Sequence, residues 1–133
     1  MVSKYLHRPR DEILTRERCF IREIVNDPAV PEASLAECRV EPGVTTELHR
    51  LSVAEWYFIL RGIGRMEVAG ESPFDVAEGD IVAIRVGASQ CIRNQGDADL
   101  VFQCLCVPRF TPECYQSLEG AVGEDDANST GVG

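Results

Sequence analysis

An all-β barrel or sandwich is the fold this sequence predicts, on three observations. From Cys19 onward the chain is a succession of short segments rich in Val, Ile and Phe. Pro, Gly, Asn and Asp separate them at regular intervals, and charged and apolar residues alternate where a segment has one wet face. The expected strands cover residues 19–25, 35–41, 45–51, 55–61, 65–68, 74–76, 81–85, 90–94 and 100–107. In Arg65-Met66-Glu67-Val68 the charged side chains face one way and the apolar ones the other, since successive strand residues point to opposite sides. Trp56-Tyr57-Phe58-Ile59-Leu60 is apolar on both faces, which predicts a central strand covered on each side by a second sheet or by another subunit. Residues 100–107 read the same way.

Turn chemistry supports these cuts. Pro42-Gly43, Ala69-Gly70-Glu71, Glu78-Gly79-Asp80, Val86-Gly87 and Asn94-Gln95-Gly96-Asp97 each place Gly or Asn where the backbone needs a positive φ. Residues 1–17 are polar and broken by proline, and predict an N-terminal arm. Arg8, Arg10 and Arg16 of this arm, continuing to Arg18 and Arg22, are interspersed with Asp11, Glu12, Glu17 and Glu23, which predicts a solvated mixed-charge face. The folded domain is expected over residues 18–118. Thr111-Pro112-Glu113 reads as the N-cap, N1 and N2 of a short C-terminal helix reaching about Leu118. Residues 119–133 carry Gly, Asp, Asn, Ser and Thr with almost no bulky apolar group, and predict a disordered tail.

A chain of 133 residues supports one domain with one core. Its 22 acidic and 13 basic residues give a net charge of -9, and no basic cluster with interleaved aromatics appears. Nucleic acid and anionic membranes are therefore excluded as expected partners, because phosphate binding draws on basic side chains. No apolar run approaches ~18 residues and the N-terminus lacks a signal-peptide core, so a cytoplasmic protein is expected. Six cysteines occur without a Cys-x2-Cys pair, and predict free thiols, most of them buried in strands. Cys104 and Cys106 fall on one face of their strand.

Chemistry concentrates in two stretches. In residues 45–51, Glu47, His49 and Leu51 share a strand face, and a turn through Ser52-Val53-Ala54 brings Glu55 back on the same side. An imidazole and a carboxylate thus meet across a hairpin. Farther on, Gly79-x7-Gly87-x2-Gln90-x3-Asn94 forms a second hairpin that presents Gln90.

At these residues the chain resembles the cupin superfamily, of the small single-domain RmlC-like type. That family's first motif is Gly-x5-His-x-His-x3,4-Glu-x6-Gly, and here it reads GVTTELHRLSVAEWYFILRG, from Gly43 to Gly62. The second is Gly-x5-Pro-x-Gly-x2-His-x3-Asn, and here it reads GDIVAIRVGASQCIRN, from Gly79 to Asn94. The resemblance implies a double-stranded β-helix, or jelly-roll barrel, over most of the domain. Three positions depart from the pattern: Leu51 stands at the second metal histidine, Arg85 at the proline and Gln90 at the histidine of the second motif.

Carried over residue by residue, the resemblance implies His49, Glu55 and Gln90 as ligands of a divalent ion such as Fe, Mn, Ni or Zn. Imidazole nitrogen and carboxylate oxygen suit such ions, and a Gln carbonyl is a weaker neutral donor. Glu55, and secondarily Glu47, are the candidates for proton exchange. Tyr57 and Arg85 are candidate ligand contacts, with Arg85 placed to hold an anion at the cavity mouth. In the other reading His49, Glu55 and Gln90 satisfy one another's hydrogen bonds in a metal-free polar pocket. The functions implied are binding of a small sugar, organic acid or aromatic polyol, with or without isomerase, dioxygenase or lyase chemistry; a metal-free binding, regulatory or dimerisation module is the alternative. The double-sided strands, and the family's pairing of barrels, predict a homodimer. His7 is expected in the flexible arm.

Overall fold

The alternation of core-facing residues builds two antiparallel sheets. The computed structural model describes residues 3–5 and 11–120. His7 and residues 121–133, to which the arm and the disordered tail were assigned, lie outside the described residues. The strands are β1 Ile13–Leu14, β2 Phe20–Val25, β3 Ser34–Val40, β4 His49–Leu51, β5 Ala54–Arg61, β6 Ile63–Val68, β7 Phe74–Ala77, β8 Ile81–Ile84, β9 Gln90–Asn94, β10 Leu100–Val107 and β11 Tyr115–Ser117. One sheet runs β1-β2-β3-β10-β5-β8 and the other β11-β4-β9-β6-β7. Facing sheets of this kind form the double-stranded β-helix that the motifs implied.

Strict period-two burial in β3 turns Ser34, Ala36, Cys38 and Val40 inward. On β10, Leu100, Phe102, Cys104 and Cys106 face the same interior, and on β5, Glu55, Tyr57 and Ile59 do. The main core joins Phe102, Leu100, Ile59 and Val40 of the first sheet to Met66 and Ile92 of the second. A smaller cluster of Leu51, Val53, Cys106, Phe110 and Cys114 closes the far end. All six cysteines are free and buried; Cys38, Cys91, Cys104 and Cys106 lie in strands, and Cys19 and Cys114 lie in turns.

The outer face of β5 behaves differently from its inner face. Trp56 is 41% exposed and Leu60 40%, so within one chain this side of the central strand is uncovered. The C-terminal helix is absent: Pro112–Cys114 is a single 3-10 turn, Thr111 makes no side-chain cap, and the chain continues as β11 against β4. A helix of about seven residues is marginal by itself. The extended form instead gives Cys114 a place in the core, seats the Tyr115 ring on His49 and lets Ser117 reach Glu47.

Part of the expected arm belongs to the fold. Ile13–Leu14 pairs with β2 through a turn that places Arg18 at φ 69°. Glu17 is 2% exposed, which departs from the solvated charged face expected there. Glu119, assigned to the tail, accepts the Leu48 N–H at 2.9 Å and pairs with Arg18.

Several motif positions are structural. Asn94 is fully buried, donates to the carbonyls of Val40 and Ala98 at 2.8 Å each, and accepts the Gly96 N–H at 2.8 Å. The Gly43 N–H reaches the Asn94 carbonyl at 3.1 Å. A Cβ on Gly62, whose φ is 92°, would lie 2.8 Å from the Asp99 carbonyl oxygen. These residues close one end of the barrel. Asn94→Ala removes one buried and two part-buried hydrogen bonds and is expected to cost about 2 kcal/mol in urea denaturation; a cost below about 0.5 kcal/mol would show that this end closes without them.

Candidate functional site

The polar layer of the barrel forms where β4, β9 and β5 begin. His49 and Gln90 are direct register partners, so both side chains enter the interior from one sheet. Glu55 enters from the other sheet, opposite Cys106. All three are at most 1% exposed. Strand alternation forces this burial, because Leu51, Ile92, Ile59 and Tyr57 share their faces and must lie in the core.

The His49 ring is fixed from two sides. Its Nδ1 lies 2.8 Å from the Glu47 carbonyl oxygen, an acceptor only, so Nδ1 carries the proton in the neutral ring. Nε2 is then a bare lone pair, buried and without a hydrogen-bond partner. Tyr115 stacks on the ring with centroids 4.7 Å apart and planes inclined by 16°.

Glu55 ends a directional chain of donors. The Tyr57 hydroxyl donates to Gln90 Oε1 at 2.8 Å, and Gln90 Nε2 donates to Glu55 Oε1 at 2.8 Å. The Cys106 thiol lies 3.9 Å from Glu55 Oε2. Burial pushes the Glu55 carboxyl up to about 7; the neighbouring His49 and the Gln90 hydrogen bond pull it back only in part, and the nearby Glu17 charge pushes it further. Burial and the Glu55 charge also raise the Tyr57 phenol well above its ordinary value, so it acts as a neutral donor.

Glu47 does not share this chain. Its carboxylate receives Arg16, the Tyr115 hydroxyl and, at 2.9 Å, the Ser117 hydroxyl. Burial works to raise it, but those donors outweigh burial and hold it below its usual value. Its part is to fix Tyr115 over His49. Leu51, at the family's second histidine position, packs among Val53, Cys106, Phe110 and Cys114. Arg85 is exposed and lines a cavity of about 240 Å³ at the barrel rim, outside the polar layer.

Glu17 is the residue that sequence reasoning missed. Its charge is felt at Glu55, Tyr57 and Tyr115, and its carbonyl accepts the Glu47 N–H at 3.0 Å. The signal in the chain was slight: Glu17-x-Cys19-x-Ile21 continues the inward alternation of β2 backwards by one step.

His49 Nε2 and the Glu55 carboxylate are donors of the kind that hold divalent metals. Gln90 as oriented is not a third, because its oxygen faces Tyr57 and its NH2 faces Glu55. Among the described residues no group of three or more His, Cys, Asp or Glu is gathered to hold an ion. Two donors fall short of the usual three-ligand catalytic set, so no step is assigned to a metal here.

Known proteins supply context for this geometry. The chain is 25% identical to a Thermotoga maritima protein described as a predicted oxalate decarboxylase; the match covers 74% of this chain and 90% of that one, with a TM-score of 0.65. A variant of the oxalate decarboxylase of B. subtilis matches at 21% identity and a TM-score of 0.73, over 89% of this chain and 33% of that one. This chain therefore spans about a third of that protein's length. An RmlC-like cupin with a double-stranded β-helix fold from Methanocaldococcus jannaschii matches at 18% identity, over 81% of this chain and 93% of that one, with a TM-score of 0.64. No curated protein matches the chain. The Cupin_2 family model, a cupin domain, matches residues 36–108, more than half of the sequence and both hairpins that carry the site. With strand order, motif spacing and family match in agreement, the chain belongs to the cupin family.

Proposed function

We propose that the barrel interior binds a small oxygenated organic ligand, with an organic acid as the first class to test. The observation that carries this reading is the pairing of a buried, unpartnered His49 Nε2 with Glu55, a buried carboxyl that changes charge near neutral pH. The first accepts a hydroxyl proton from a ligand, and the second donates to a ligand oxygen when protonated or accepts a proton when ionised. Tyr57 and Gln90 keep Glu55 oriented. The likeness to a protein described as a predicted oxalate decarboxylase supports the organic-acid class. A cytoplasmic setting suits six free thiols.

A second reading places a divalent ion at His49 and Glu55, with Gln90 rotated away from Tyr57 and lyase, isomerase or dioxygenase chemistry at the ion. The bare Nε2 favours it, since a ligating imidazole donates from one nitrogen to a carbonyl and offers the other. Metal analysis of protein purified without chelator separates the two. The first reading expects substoichiometric Fe, Mn, Ni, Zn and Cu in wild type; near one equivalent, lost in both His49→Ala and Glu55→Ala, establishes the second.

Glu55 gives a pH test. Its folded value lies above the ordinary 4.5, so neutral Glu55 stabilises the fold fully below pH 4.5, and that contribution is lost as pH rises through about 7. Chelator-treated wild type is expected to lose on the order of 3 kcal/mol between pH 4.5 and 7, at about 1.4 kcal/mol per unit. Glu55→Gln should flatten that slope in urea denaturation, and an unchanged slope would remove Glu55 as the titrating group.

The uncovered face of β5 supports a homodimer, in which a second barrel takes Trp56 and Leu60 out of water. Light scattering is expected to give twice the 14.7 kDa chain mass, and Trp56→Lys to return it to one.

A further inference from the structure

The cavity of about 240 Å³ lies outside the His49–Glu55 layer, and its walls are not loose loops. Val68, Phe74, Val82 and Ala88 line it and also pack against the main core, so it is a notch cut into the core's rim. Two of these residues tie it to the candidate site. Val68 is the register partner of Gln90, and Val82 is the register partner of Tyr57. The notch therefore sits one side-chain layer outside the Tyr57–Gln90 hydrogen bond.

Arg85 is the one cation of its lining, and Glu71 the one carboxylate. Arg16, Arg18, Arg22, Arg39 and Arg65 each hold a carboxylate of the chain. Arg85, like Arg50, Arg61, Arg93 and Arg109, forms no ion pair among the described residues, and it does not pair with the Glu71 of its own lining. Its backbone is nonetheless fixed. Ala88 N–H donates to the Arg85 carbonyl at 3.1 Å, Gly87 takes the φ of 81° that this turn requires, and Gly87 N–H donates to the Leu51 carbonyl at 2.8 Å. An unpaired guanidinium is thus mounted on a rigid turn beside an apolar notch.

We propose that this notch binds a small monocarboxylate, with the carboxylate on Arg85 and the apolar body against Val68, Phe74 and Val82. A planar guanidinium matches a carboxylate with two parallel N–H donors, while the walls take hydrocarbon out of water. Glu71 at the rim disfavours a second negative charge on the ligand, so the class is a monoanion. The notch's role as the outer subsite of the barrel rests on the reading proposed above.

The test titrates wild type, Arg85→Ala and His49→Ala with hexanoate and benzoate, and with hexanamide and benzamide as neutral counterparts, by calorimetry and amide chemical-shift mapping. Wild type is expected to bind each acid roughly three- to fivefold more tightly than its amide, and Arg85→Ala to erase that preference, as a partly exposed ion pair allows. Shifts should centre on Val68, Val82 and Ala88. Acids that bind no better than amides, no binding of either, or an acid preference that survives Arg85→Ala would each overturn the proposal. Binding that Arg85→Ala keeps and His49→Ala abolishes would overturn this site while the barrel reading stands. An acid preference that needs Arg85 and survives His49→Ala supports the notch even if the barrel reading fails.

Discussion

The constraint on which this barrel turns is the burial of one carboxyl. Glu55 sits on a strand whose other inward residues are Tyr57 and Ile59, so the alternation that makes the core also removes Glu55 from water. A bare buried carboxylate is costly, and the surroundings answer that cost with a Gln amide, a Tyr behind it, a thiol and an imidazole from the facing sheet. Each of these groups is in turn placed by strand register. The polar layer and the apolar core are two consequences of one pleat.

Around that layer the structure spends charge on rigidity. Glu47 gathers Arg16, Tyr115 and Ser117, and Glu119 gathers Arg18 and the Leu48 amide, so the first turn and the last strand are both fastened to the strand bearing His49. The stacked Tyr115 is positioned by this arrangement and does not simply fill space. Arg85, on the lining of the notch, takes no part in such pairing among the described residues.

Much of the fold was legible because period-two burial is written directly into residues such as 34–40, and because glycines and Asn94 mark turns that tolerate little else. That His49, Glu55 and Gln90 enter the barrel interior together was legible, since motif spacing fixes which side chains point inward. Their relations were not. Whether the Gln90 oxygen faces an ion or Tyr57 depends on a neighbour thirty-three residues away, which spacing cannot encode. The C-terminal segment was misread because Thr-Pro-Glu is locally a good helix start, while the edge of β4 and the face of His49 reward an extended chain more. Glu17 escaped notice because charge near an N-terminus ordinarily means solvent, and here the turn between β1 and β2 carries it inward.

The place of β10 between β3 and β5 bears on how the molecule comes into being. Strands β3 and β5 are separated along the chain only by β4, yet each waits for β10 before it has a hydrogen-bonded partner on that side. On a ribosome the central sheet cannot close until residue 107 has left the exit tunnel, and β11 must follow before His49 is covered. Folding of this domain therefore waits for its last strands, with Trp56 and the neighbouring apolar strands held open meanwhile. A chaperone that recognises extended aromatic segments has its longest opportunity on this part of the nascent chain.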